Sequence, residues 1–435
     1  MDTGGKGYQY IMKQMTKRWV LGVLVAIAVL TLAIAGCGQQ KDRQARLTVV
    51  GWNTAADTLR EQAAAYEKLH PNVKIDVQTV DDKYTSFMPS LTAGTATPDI
   101  MVLQNRDFPT FLQRYPDAFV DLTSELKGSR DHFVPASWDA VTHDGKIYGV
   151  PTDMGPAALF YRTDLFEKAG IDPDAIATWD DLIAAGKKLT AATNGETSMT
   201  GTAEDTDFFD LLLNQAGGSY VSDDDKTIIL NSAEGQKAAE LFVRLKNEGT
   251  MRNVGDWDGR LMAMKRDQIA AVPYGVWFAG NISSSLPDQK GKWKIMPLPA
   301  LEPGGVRAAN SGGSVLAVAK ASRHADIAVD FVKFCEDTDE GEVIALKHGL
   351  FPAYSPVYQS QEFQKEDAYF GSAIYPMFAD IAQNIQPLHR GPITLESGKA
   401  TRELVQSLLQ GGDVKQALDA CVQEIAAATG LAAGK

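Results

Sequence analysis

The chain has 435 residues, of which 44% are hydrophobic and 22% charged, and its formal net charge is −13. Single hydrophobic cores stop growing at roughly 250–300 residues, so two lobes are expected. The acid excess argues against nucleic acid as a partner and against docking on anionic lipid through the protein surface.

In chain order, the first 36 residues do not read as fold. Lys6, Lys13, Lys17 and Arg18 form a basic stretch, Trp19 to Ala35 is almost wholly apolar, and the run closes with Ile34-Ala35-Gly36-Cys37. Charge, apolar core and small residues in that order describe a secretory signal. The last four residues resemble the lipobox of bacterial lipoproteins. That resemblance implies cleavage after residue 36, diacylation of the Cys37 sulfur, and a polar tether over residues 37–45. The competing reading is a transmembrane anchor. About 17 apolar residues is at the short limit for spanning, and a span gives no reason for Gly36-Cys37 at its end. The folded part is therefore expected on the extracytoplasmic face of a bacterial membrane, lipid-anchored.

Strand and helix signals then alternate. Leu47 to Gly51 reads as a buried strand, Thr54 to Leu69 as a helix stopped by His70-Pro71, and Val73 to Val80 as a second strand. A helix over Tyr84 to Ala93 and a strand over Asp99 to Leu103 follow. This order predicts a mostly parallel sheet covered by helices, with ligands bound at the carboxyl ends of its strands. Asp144-Gly145 marks a hairpin turn. Ala157 to Arg162 is a strand, and Thr163–Ala169, Asp180–Thr190, Asp207–Ala216 and Ala233–Asn247 are helices. Residues 269–273 and 292–297 are expected as strands of a second sheet. Val315 to Glu336 returns to strand then helix, and the chain from about Ser355 is mainly helical. Cys335 and Cys421 sit in amphipathic helical patterns. Two separate buried thiols and a disulfide both remain open.

Ordered short segments carry a resemblance over nearly the whole chain beyond residue 46. They are Leu47-Thr48-Val49-Val50-Gly51-Trp52, Tyr66 to Pro71, Gly94 to Ile100, Gly145 to Pro151, Leu159 to Leu165 and Thr178-Trp179-Asp180-Asp181-Leu182. Gly217-Gly218, Pro273-Tyr274-Gly275-Val276-Trp277 and Ala325 to Phe334 follow. In that order the chain resembles the family 1 extracellular solute-binding proteins of ATP-driven importers, the group that includes maltose-binding protein. The resemblance implies an α/β, two-lobed periplasmic-binding-protein-like fold with a ligand cleft between lobes and about three hinge crossings. It implies lobe 1 over 46–152 and 307–350, and lobe 2 over 153–306 and 351–435. It also implies a carbohydrate as ligand, membrane permease subunits as partners, a monomeric receptor and no cofactor.

Sugars need planar polar side chains for their hydroxyls and aromatic faces for their C–H patches. Trp52 and Asn53 follow the first strand, and Gln104-Asn105-Arg106-Asp107 follows the third. The resemblance places lobe-one sugar contacts in that second run, which makes Asn105 and Asp107 candidates beside an ordinary helix-capping role. In lobe two the candidates are Asp153 at the hinge, Asp205 and Phe208 before and within a helix, and Trp277, which aligns with a sugar-stacking Trp. Gly312, in the Asn310 to Gly313 turn, offers backbone N–H donors; Arg390 and then Glu396 come late in the chain. Asp207-Phe208-Phe209-Asp210 departs from the aromatics of one well-known member, so the ligand need not be a linear maltodextrin. Arg106 and Arg390 leave an anionic solute such as a glycerol phosphate open, because guanidinium binds phosphate bidentately.

An enzyme is the rival class. His-Glu-x-x-His, Gly-x-Ser-x-Gly and P-loop motifs are missing from the sequence, and the six histidines show no metal-ligand spacing. Asp223-Asp224-Asp225 lacks the spaced ligands of a calcium loop and reads as a solvated hairpin tip. No catalytic or metal residues are assigned. A paired-carboxylate glycan-active enzyme and a sugar-binding surface module without an importer remain as alternatives.

Overall fold

A computed structural model describes residues 44–80 and 84–434. The apolar run, the lipobox-like Cys37 and most of the tether lie outside the described residues. Ala45 with Pro71–Lys74 forms a small unit of its own, joined by the Ala45 N–H to the Asn72 carbonyl at 2.9 Å, and the larger unit holds residues 46–70 and 75 onward.

The first half follows the alternation in the sequence. Strand β1 (Ala45–Gly51), helix α1 (Asn53–Leu69), strand β2 (Val73–Thr79), strand β3 (Ile100–Gln104) and helix α2 (Phe108–Arg114) come in that order. The predicted helix over 84–93 is helical only from Met88 to Ala93; residues 84–87 are turns, and Gly94 closes it with a left-handed φ of 64°. β1 and β3 pair in parallel, with Val49 opposite Ile100.

Strand β4 (Val150–Arg162) is 13 residues long and buried throughout. Its neighbours in the chain are helix α3 (Trp179–Ala192), opened by a reciprocal capping box between Thr178 and Asp181, and helices α4 (Asp207–Gln215), α5 (Ala233–Asn247) and α6 (Trp257–Lys265). Strands β5 (Ala271–Gly275), β6 (Trp293–Pro297) and β7 (Asn310–Val318) complete the sheet. Helices α7 (Ala325–Glu336), α8 (Asp339–Lys347), α9 (Thr394–Gln410) and α10 (Val414–Thr429) finish the chain.

The sheet corrects two expectations. Its order is β5-β4-β7-β3-β1-β2, with β6 also paired to β4. β7 runs antiparallel to both β3 and β4, and β5 and β6 run antiparallel to β4. The sheet is therefore mixed rather than mostly parallel. The strands at 271–275 and 293–297 also join the main sheet instead of a second one, because β4 is long enough to serve both halves. Its residues 150–156 pair with β7, and residues 157–162 lie between β5 and β6.

Each half has its own core. Leu47, Val49, Ile100, Leu103, Val315 and Phe331 are buried on the β1–β3–β7 side. Trp179, Phe209, Phe242, Leu404 and Val422 belong to one cluster on the other. Around Asp153 three chain passages run side by side. Met154 N–H donates to the Phe351 carbonyl at 2.9 Å, Ala353 N–H to the Thr152 carbonyl at 3.2 Å, and Ala157 N–H to the Ala309 carbonyl at 2.8 Å. Cys335 and Cys421 are separate, free and buried, which closes the disulfide alternative. The Asp223–Asp225 run caps a small hairpin, where Ser222 N–H donates to the Thr227 carbonyl and Asp225 lies 2.8 Å from His389 Nε2.

Candidate functional site

The carboxyl end of β3 meets the start of β7. Asn105 N–H donates to the Gly313 carbonyl at 3.0 Å. Gly313 has φ of +114°, and a Cβ there would lie 2.4 Å from Asn105 Nδ2, so only glycine lets the asparagine side chain settle against the turn. The Asn105 Oδ1 is buried and has no hydrogen-bond partner. A buried acceptor left unpaired costs about 1–3 kcal/mol; Arg260 Nε and Nη1 and the Tyr274 hydroxyl are likewise buried without a partner.

Two tryptophans stand beside the same turn. Trp277 is half-buried, and its Nε1 donates to the Ser311 carbonyl at 2.6 Å. Its ring stacks on Trp257, with centroids 6.0 Å apart and planes 24° apart. Behind them the fully buried Arg260 lies 5.4 Å from the Trp257 centroid and 4.6 Å from that of Tyr274, and it bonds the Asp205 carboxylate at 2.9 Å. The guanidinium thus holds the aromatic wall by cation–π contact while its charge is matched by Asp205.

Carboxylates and guanidinium groups pair off around this wall. Arg106 Nη1 lies 3.9 Å from Asp207 Oδ1, and its Nε donates to Gln104 Oε1 at 3.0 Å. Arg390 Nη2 lies 2.6 Å from Asp210 Oδ2 and over the Tyr220 ring at 4.4 Å, while the Tyr220 hydroxyl donates to Asp210 Oδ1 at 2.5 Å. Burial works against the Arg390 charge, but Asp210 outweighs it and holds the guanidinium above its ordinary value. Burial, and then the Asp205 charge, raises the Asp207 carboxyl above the usual range against the pull of Arg106. Arg390 is committed to Asp210, whereas Arg106 is 3.9 Å from its nearest carboxylate and Arg260 gives Nη2 to Asp205 with its Nε and Nη1 buried without partners. The anionic-solute alternative therefore loses Arg390.

The sequence candidates divide. Asn105, Asp205, Trp277 and Gly312 come together near the β3 end and the β7 turn. Asp107 is turned inward; its carboxylate accepts from the Tyr84 hydroxyl at 2.6 Å. Trp52 is half-buried with its ring edge-on to that of Tyr84 at 6.0 Å. Asn53 is the first residue of α1, and its side chain lies outside the described ones. Phe208 goes to the core, 5.8 Å from the Trp179 ring and 6.0 Å from that of Phe242, because it falls on the buried face of α4. Asp153 is buried in the crossing strand β4, where burial pushes its carboxyl up to about 6 despite hydrogen bonding from Ser314. Arg390 is consumed by Asp210, as above. Trp257 was not expected from the sequence. Its only local mark is a ring placed directly after Asp256, which caps α6 by accepting from Gly259 N–H.

Comparison with known proteins gives one consistent family. Residues 52–342 match the bacterial extracellular solute-binding protein family. An arabinooligosaccharide-binding protein of Bacillus subtilis (strain 168) is 30% identical, the match covering 94% of this chain and 99% of that one. A lactose-binding protein of Rhizobium radiobacter is 29% identical over 95% of this chain and 98% of that one. Among solved structures, the ABC-transporter-associated binding protein of B. animalis subsp. lactis Bl-04, in complex with β-1,6-galactobiose, superposes with a TM-score of 0.75. It is 27% identical, over 90% of this chain and 99% of that one.

Proposed function

Because the chain belongs to the bacterial extracellular solute-binding protein family, we propose that it is the extracytoplasmic receptor of an ATP-driven sugar importer. It takes a small sugar or oligosaccharide into the cleft at the end of β3 and delivers it to membrane permease subunits. One observation carries the sugar reading: the buried, partnerless Asn105 Oδ1 and the Trp277–Trp257 wall flank one glycine turn. A sugar hydroxyl supplies the donor that this oxygen lacks, and a sugar C–H face covers the ring. The close Arg390–Asp210 pair takes up one of the two guanidinium groups an anionic ligand would need, which supports a neutral ligand. Two relatives are named for arabinooligosaccharide and lactose binding, and a solved structure of a third is a complex with β-1,6-galactobiose, which supports the same class.

In this reading the chain is a monomeric binding protein rather than an enzyme. Lobe 1 holds residues 46–152 and 307–350, and lobe 2 holds 153–306 and 351–435. The close passage of residues 152–157, 307–313 and 351–353 supports those crossings. Lipid on Cys37 and the tether through residue 45 keep the receptor at the membrane. Closure is a population shift driven by contacts made to both lobes. The test is a thermal-shift screen of residues 38–435 against sugars, polyols, glycerol phosphates and amino acids. One carbohydrate class should raise the melting temperature by mass action. Stabilisation by a charged solute and by no carbohydrate sinks the reading.

A further inference from the structure

Helix α9 begins without a cap of its own. The residue before it is Ile393, which has no side-chain hydrogen-bond acceptor for the first-turn N–H groups. The missing acceptor comes from the opposite half of the molecule. Thr394 N–H donates to Thr110 Oγ1 at 3.3 Å, and Thr110 is buried on α2. Thr394 Oγ1 returns a hydrogen bond to the Arg106 carbonyl at 2.6 Å. Four residues on from Thr110 and two on from Thr394, Arg114 Nη2 pairs with Glu396 Oε1. α2 rises straight from the β3-end loop, whereas α9 packs on α5 and α10 in the other core. These bonds therefore tie the segment after β3 to the helices of the other core.

We propose that Arg114, Thr394 and Glu396 form a clasp that holds the cleft shut and sets how long a ligand stays bound. The inference rests on the receptor reading above. A bond present only in the closed arrangement stabilises that arrangement, so removing it raises the dissociation rate and leaves encounter with the open form unchanged. The groups act as positioning residues and need no contact with ligand. The Arg114–Glu396 pair is partly exposed, with side chains 42% and 25% accessible, so each single neutralisation should change the rate by about two- to fivefold.

Association and dissociation rates are measured by stopped flow for wild type, Arg114→Gln, Glu396→Gln and the double variant. The probe is whichever of lactose, β-1,6-galactobiose or arabinotriose stabilises the wild type. Either single should raise the dissociation rate, the double should add nothing further, and the association rate should stay constant. Unchanged dissociation in both singles, or additive losses in the double, overturns the clasp. A second arm crosslinks Arg114→Cys/Glu396→Cys with dibromobimane, with the sugar and without it. The two helices should join faster with the sugar bound. Equal rates with and without sugar, while each single-cysteine variant takes up monobromobimane, also overturn it. If no sugar binds the wild type, the receptor reading fails, and the crosslink still decides whether the two segments meet.

Discussion

Replacing Asp153 with Asn probes the crossing strand, where burial is most at odds with charge. Asp153 is only 7% exposed, and burial raises its carboxyl from an ordinary 3.8 to about 6. That difference corresponds to about 3 kcal/mol between its two protonation states. Because the folded value lies above the unfolded one, the folded form binds the proton more tightly. Stability from this site is complete below about pH 4 and is lost as pH rises through about 6. Two acids face it: burial, with the Asp153 charge beside it, holds Glu336 well above the carboxylate range, and burial with the Glu336 and Asp153 charges does the same for Glu342. Asp153→Asn keeps the shape and removes the ionisation. Urea unfolding from about pH 4 to about pH 7 should show the variant gaining on wild type by up to about 3 kcal/mol toward neutral pH. Parallel pH profiles for the two proteins would refute this account of the buried carboxyl.

Other substitutions test other joints. Arg390→Met leaves Asp210 buried beside Tyr220 without its cation, and should lower stability by about 3–5 kcal/mol, with Asp210→Asn/Arg390→Met recovering part of the loss in a melting experiment. Gly155→Ala places a Cβ 2.1 Å from the Ser311 carbonyl oxygen, where β4 crosses β7. It should depress both the melting temperature and sugar affinity; an unchanged melting temperature would show that the crossing yields freely. Cys37→Ser should move the expressed protein from the membrane fraction to the soluble fraction, because the lipid is the proposed anchor. Retention in the membrane fraction would point back to a spanning segment.

The elements of this fold were more legible than their pairing. Periodicity located β1, α1 and β3 because each has a single buried face or a short apolar run. It missed the antiparallel partners of β7 and β4, since those pairings join residues about 150 positions apart, such as Asn310 with Pro156, and no local pattern encodes them. The sequence predicts only Ala157 to Arg162 of β4, whose first half contains Pro151 and Pro156. They are tolerated here because the β7 register shifts opposite both, between Asn310 and Gly313 and between Ser314 and Val315. The site shows the same limit at finer scale. Strand-end position marks the 104–107 run and the family resemblance marks 204–208, yet Asp107 and Phe208 turn inward while their neighbours Arg106 and Asp207 face each other. Composition names a loop; tertiary packing decides which of its side chains reaches the cleft. Trp257 had no comparable mark, because its role exists only through Trp277 and Arg260.

In the proposed function a neutral sugar lies against Trp277. Isothermal titration of residues 38–435 and of Trp277→Ala with arabinotriose, lactose and β-1,6-galactobiose tests this contact. At least one of these should bind the wild type one to one. The variant should bind it roughly tenfold more weakly or worse, with the sugar-free melting temperature unchanged. Equal affinity in the two proteins, or unfolding of the variant that returns Trp277 to the core, would contradict it.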